Sequence, residues 1–150
     1  MVWLLLNILI AMVTFMTHST ETPVSFINEI LVGKRILIID DDEDYAEAIK
    51  EIFYVHHCEV ECKKDPFCAL NYALKNDLDL VIVDKNMPRL DGLELARRLR
   101  EAKPSTNILL ITAYPNEESR KASIELGIRY YLIKPFRKNE LLEIVSFIFL

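Results

Sequence analysis

The feature that most constrains this chain is a run with no polar break, Leu80-Val81-Ile82-Val83, that stops on a carboxylate, Asp84. A strand buried on both faces reads as such a continuous apolar run, whereas a strand with one wet face alternates. "KRILIID" and "NILLITA" have the same character, and "CEVEC" and "RYYLI" are two further short β-rich runs. Between them lie segments with helical spacing. "DEDYAEAIKEIFYV" places Tyr45, Ala48, Ile49, Ile52 and Phe53 on one side of a helix. "PFCALNYALKN" opens with Asp65 as cap and Pro66 at the first helical position, and Cys68 reads there as a packing position. "DGLELARRLREA" is ended by Lys103-Pro104, "NEESRKASIELG" by Gly127, and "RKNELLEIVSFIFL" is the last helix. From Gly33 onward, strand and helix alternate five times. That alternation predicts βαβ units, a parallel sheet with helices on both faces, and the three most apolar strands at the centre.

A length of 150 residues is one domain, and 51% apolar with 27% charged residues is enough to bury a core. Lys plus Arg is 18 against 23 Asp plus Glu, a net charge of −5, so no nucleic-acid footprint is present. Three cysteines at uneven spacing imply no disulfide framework and read as reduced thiols in a cytoplasmic domain.

The first part of the chain, residues 1–33, is read separately from the regular part, 34–150. Residues 2–16 form an apolar run broken by Asn7 and Thr14, and "THSTETPVS" follows as a polar linker. As a helix the run would reach about 23 Å, short of a hydrocarbon core of roughly 30 Å. Three readings stand: a membrane tether, a helix lying on the folded domain, or a start codon placed too early.

In open α/β sheets, ligands bind outside the carboxyl ends of the strands. Here those ends carry Asp40-Asp41-Asp42, Asp84, Thr112 and Lys134. Clustered carboxylates stay charged together when a cation lies among them, and oxygen ligands with room for water suit Mg²⁺. One carboxylate can attack phosphorus, with a Lys and a Thr hydroxyl steadying the phosphoryl oxygens. No Gly-rich phosphate loop is present, so nucleotide binding is not indicated.

"ILIIDDDED", "LVIVDKNMPRLDGLEL", "ILLITAY" and "YYLIKPF" resemble, in order and at the expected separations, the signature segments of the receiver domains of two-component response regulators. The resemblance covers residues 34–150 and implies a flavodoxin-like sheet of order 2-1-3-4-5. It implies Asp84 as phosphoacceptor. Asp41, Asp84 and the backbone carbonyl of Asn86 would hold Mg²⁺, with Asp40 orienting a metal-bound water. Lys134 would pair with the phosphoryl oxygens and Thr112 would donate to them. Tyr131 would be the aromatic switch that turns inward when Thr112 moves, and the Lys134-Pro135 bond would be cis. Asn86 and Tyr114 occupy the positions that tune loss of the phosphoryl group. The phosphodonor would be a sensor histidine kinase or a histidine phosphotransfer protein, and the output a changed surface for a downstream protein.

Plainer readings apply elsewhere. Asp42, Glu43 and Asp44 are cap and first-turn acids. His56, His57, Cys58 and Cys62 match no usual zinc spacing, and Cys58, Val60 and Cys62 share one strand face. The apolar end of the last helix, Phe147 to Leu150, is either a cut-short tail or an association surface for a dimer. A phosphatase of haloacid-dehalogenase type uses the same chemical kit and would need Asp40 and Asp42 as its acid pair. The residues after that pair do not fit it.

Overall fold

A computed structural model describes residues 24–150. The apolar run over residues 2–16, and with it the three readings of that run, lies outside the described residues. Five strands, β1 (Arg35–Ile39), β2 (Glu59–Lys63), β3 (Leu80–Asp84), β4 (Asn107–Thr112) and β5 (Tyr130–Ile133), form one parallel sheet in the order β2-β1-β3-β4-β5. The three continuous apolar runs are the three inner strands, as burial on both faces requires. Pairing of β1 with β3 runs from Ile36–Leu80 to Ile39–Val83, so the two strands end together. This register brings the next residues, Asp40 and Asp84, to the same place on the carboxyl edge.

Side-chain alternation sorts the strand residues into two cores. Ile36, Ile38, Leu80, Ile82, Leu109 and Ile111 meet α2 (Glu43–Tyr54) and α6 (Lys138–Phe149) through Ile49, Phe53, Leu141 and Val145. Leu37, Ile39, Val81, Val83 and Leu110 meet α3 (Pro66–Lys75) and α4 (Gly92–Ala102) through Ala69, Ala73, Leu95 and Leu99. The fourth connecting helix, α5 (Glu117–Glu125), lies beside α4.

Four of these helices begin on a side-chain cap, Asp42, Asp65, Asp91 or Asn116, whose oxygen accepts from a first-turn N–H that would otherwise lack a partner. Two packing expectations are corrected. On α2 the buried stripe is Ala46, Ile49 and Phe53, with Tyr45 and Ile52 beside it, while Ala48 is exposed. On α3, Ala69 and Ala73 take the inward positions and Cys68, one residue off that stripe, is exposed. A one-residue step is about 100° around a helix, enough to move a side chain from core to solvent.

A helix not expected from the sequence, α1 (Val24–Leu31), precedes β1. Its Ile27 and Leu31, one turn apart, are buried in the first core beside α6. Asn28 presents Oδ1 to His56 Nδ1 at 2.5 Å. Gly33, with φ of 71°, then turns the chain into β1, a backbone conformation glycine adopts without penalty. Among the described residues no helix is long and apolar enough to cross a membrane.

Candidate functional site

The carboxyl edge of the sheet brings together most of the residues singled out above. Asp40, directly after β1, is 4% exposed and Asp84, the last residue of β3, is 7% exposed. Asp41 is exposed at the mouth. Carboxylate oxygens of all three lie within 4.8 Å of one another. Lys134, following β5, reaches in from the far side, with Nζ 2.7 Å from Asp40 Oδ2 and 3.4 Å from Asp84 Oδ1. The Lys134-Pro135 bond is cis.

The electrostatics follow from burial. Loss of water raises the pKa of Asp84, and the charge of Asp40 raises it further, against the opposing pull of Lys134. Burial works against the charged form of Lys134 as well, but its hydrogen bond to Asp40 and the fields of both carboxylates leave its pKa raised. The donor set fits a hard divalent cation: three carboxylates, all-oxygen, two buried and one open to water.

The other half of the edge carries Thr112, fully buried at the end of β4. Its hydroxyl donates to Asn86 Oδ1 at 2.6 Å and accepts from the Tyr114 N–H at 3.0 Å. The Thr112 hydroxyl is thus engaged by the loop after β3 rather than by Asp84. Tyr131 is half-buried against the second core, its hydroxyl 3.3 Å from Ser119 Oγ. Tyr114 is tied to this network through its backbone, and the residue is 72% exposed.

Two site residues carry no functional signal in the sequence. Gly92 is one: a Cβ there would stand 2.3 Å from the Asp84 carbonyl oxygen and 2.7 Å from Lys85 Cα. Its N–H donates to the Lys85 carbonyl at 2.8 Å, which folds the β3–α4 loop back onto the strand end. Tyr45 is the other, with its ring centroid 4.1 Å from Lys134 Nζ. "LDGLEL" and "EDYAEA" contain both residues, but their closeness to the site comes from the packing of elements distant in sequence.

Asp42 accepts the Tyr45 N–H as the cap of α2, so the second acid of a haloacid-dehalogenase pair is already occupied by a structural task. Nor do the candidate soft-metal ligands converge. His56 faces Asn28, while the thiols of Cys58 and Cys62 donate to the carbonyls of Leu31 and Ala46.

An acidic cluster, a lysine and a buried threonine at the carboxyl edge of a 2-1-3-4-5 sheet define a class, and comparison with known proteins agrees. The profile of the family described as response regulator receiver domain matches residues 36–146. The response regulator MprA of Mycobacterium sp. (strain KMS) is 39% identical over 108 residues, 72% of this chain and 47% of that protein. The chain therefore spans about half the length of the curated relatives it matches. Among solved structures, a CheY-like receiver domain protein from Methanospirillum hungatei superposes with a TM-score of 0.74 at 28% identity, covering 76% of this chain and 91% of that one. The non-phosphorylated HemR receiver domain of Leptospira biflexa gives 0.73 at 30% identity, over 77% and 94%. A response regulator of Burkholderia pseudomallei, solved with a phosphorylated aspartic acid, calcium ion and citrate, gives 0.69 at 25% identity, over 74% and 65%. The chain belongs to the response regulator receiver domain family, the signalling domains of two-component systems.

Proposed function

We propose that Asp84 accepts a phosphoryl group from a phosphohistidine on a sensor histidine kinase or histidine phosphotransfer protein. The observation that carries this reading is the buried carboxylate that ends β3, 3.4 Å from a lysine ammonium and grouped with Asp40 and Asp41. An Asp84 oxygen forms the new bond to phosphorus, the P–N bond breaks, and the imidazole leaves with the electron pair. Lys134, a compact charge, neutralises phosphoryl oxygens as the group transfers. Asp41, Asp84 and the Asn86 backbone carbonyl would hold Mg²⁺, with Asp40 orienting a water beside it, and the bound ion would supply the remaining charge neutralisation. The phosphorylated aspartic acid of the similar Burkholderia protein supports the phosphoacceptor reading.

After transfer, the Thr112 hydroxyl leaves Asn86 and donates to the phosphoryl oxygen, and Tyr131 turns inward behind it. Asn86 and Tyr114 tune hydrolysis, the first by positioning water and the second by obstructing its line of approach. The receiver comprises residues 34–150, with α1 packed onto it. It assists its own phosphorylation and dephosphorylation and turns over no separate substrate. Its output is a changed surface on α5, β5 and α6 for a downstream protein, and the exposed Phe147 of α6 and Leu150 just after it suit a second copy. The three free cysteines fit a cytoplasmic location.

The test is intact-mass measurement after incubation with acetyl phosphate and Mg²⁺. One adduct is expected, absent in Asp84→Asn and absent in chelator. An adduct that persists in either condition overturns the assignment.

A further inference from the structure

Lys134 is the residue on which the proposed chemistry turns, and it is attached by a flexible four-carbon stem. Ordering such a side chain costs it rotamer freedom. The carboxylates account for two directions around its ammonium, Asp40 at 2.7 Å and Asp84 at 3.4 Å. A third direction is filled by the Tyr45 ring, whose centroid is 4.1 Å from Nζ. An ammonium over a ring face is attracted by the ring quadrupole, most strongly where water is excluded, and the Lys134 side chain is 15% exposed.

The ring is itself held on several sides. Tyr45 lies in the first turn of α2, its N–H donating to the Asp42 cap at 3.1 Å. Its ring meets Phe136 edge to face, with centroids 5.9 Å apart and planes at 83°. Both aromatic residues pack against the first core. Phe136 follows Lys134 by two residues, so the pair joins the start of α2 to the chain leaving β5. The lysine thus has a rigid aromatic seat that limits it to short movements between Asp40 and the acceptor carboxylate.

We propose that Tyr45 is a positioning residue for Lys134, its ring face holding the ammonium within reach of a phosphoryl group on Asp84. This rests on the phosphoacceptor reading of Asp84. The ring, not the hydroxyl, is the working part, so Tyr45→Phe keeps the function and an aliphatic side chain loses it.

The experiment measures the rate of Asp84 adduct formation from acetyl phosphate and Mg²⁺ in the full chain, alongside the NMR shift of the Lys134 Cε protons. Tyr45→Leu and Tyr45→Met are expected to slow adduct formation by about threefold to thirtyfold, the range of a cation–π contact. Tyr45→Phe is expected to remain within about twofold of the unaltered chain. The ring-current upfield shift of the Cε protons should persist in Tyr45→Phe and vanish in Tyr45→Leu. In a Lys134→Met background, Tyr45→Leu should add no further slowing, because its effect passes through the lysine. Slowing in that background as well would mark Tyr45 as a general packing residue and overturn the proposal. Equal rates in Tyr45→Leu and the unaltered chain would overturn it while leaving Asp84 as acceptor. No adduct in the unaltered chain would remove the phosphoacceptor reading and this inference together.

Discussion

Two helices flank the carboxyl edge from opposite sides, and they are fastened by different means. α2 buries Ala46, Ile49 and Phe53. The residues α5 buries are Ser119 and Ser123, and its Ile124 is exposed. Burying one large apolar side chain stabilises by about 1.5–3 kcal/mol, while a neutral hydrogen bond nets roughly 1 kcal/mol. The serine hydroxyls bond mainly inside their own helix, Ser119 to the Asn116 carbonyl and Ser123 to that of Arg120. Little therefore ties α5 to the sheet. The edge has a stiff half, where Asp40, Asp84 and Lys134 are held, and a soft half, where Thr112, Tyr131 and α5 meet. Elements of low local stability are those a small change in bonding can move, which suits the half proposed to switch.

The sharpest way to break this contrast is to cut into both helices. Phe53→Ala removes a fully buried ring and is expected to cost about 3–5 kcal/mol in urea unfolding. Ser123→Ala is expected to cost at most about 1 kcal/mol. Similar losses from the two substitutions would show α5 to be as firmly fastened as α2. Gly92→Ala comes next. Its Cβ would press on backbone atoms of Asp84 and Lys85, which cannot rotate away, so the end of β3 must shift. A loss of about 1–3 kcal/mol is expected, with slower phosphorylation of Asp84. A variant with unaltered stability and rate would show that the strand end tolerates movement and is not stiff.

The stiff half was legible in the sequence because it is written in continuous strands. Each strand run leads into its candidate residue, and a parallel sheet has its carboxyl ends on one edge, so Asp40, Asp84 and Lys134, together with Thr112 of the soft half, could be gathered from the sequence alone. The central place of the three apolar strands and the cap at Asp65 were legible for the same local reasons, while the full strand order came from the resemblance to receiver domains. What escaped depends on contacts between distant segments. Tyr45 reads as one more residue of an amphipathic helix, and its place over Lys134 arises from how α2 meets the chain after β5. Gly92 reads as a turn residue, and the crowding against Asp84 appears once the loop folds back. α1 escaped because Ile27 and Leu31 follow a polar stretch and make a stripe of a single turn. Its meaning comes from α6 and from His56.

His56 gives a smaller, pH-limited test on the stiff side. Burial lowers its pKa below the ordinary 6.5, and the nearby charges of Lys138 and His57 act in the same direction. Its Nδ1 is engaged with Asn28, and Nε2 is buried without a partner. The folded chain thus favours the neutral ring, while the unfolded chain takes up a proton near pH 6.5. Stability is fully present above that pH and falls as pH drops through 6.5 toward the lowered folded-state value. Urea unfolding at pH 7.5 and pH 5.5 should show this loss in the unaltered chain and a smaller one in His56→Gln. An equal loss in both would assign the pH dependence to other groups.

The smallest expected effect lies in the soft half, at the contact between Tyr131 and Ser119. Their hydroxyls are 3.3 Å apart, near the long end of useful hydrogen-bond geometry. Tyr131 is half-buried, so water can replace a lost partner, and Tyr131→Phe keeps the ring that packs against the second core. A loss of about 0.5 kcal/mol or less is expected. Ser119→Ala costs more by itself, because its hydroxyl also donates to the Asn116 carbonyl at the start of α5. The useful quantity is therefore the coupling in the double-mutant cycle, expected at or below about 0.5 kcal/mol. Such a weak tie is what an aromatic residue needs if it is to leave one position for another as Thr112 changes partner. A coupling above about 1.5 kcal/mol would mean that this contact locks β5 to α5. The difference between the two halves of the edge would then come from apolar packing alone, and the proposed movement of Tyr131 would have to break a strong bond first.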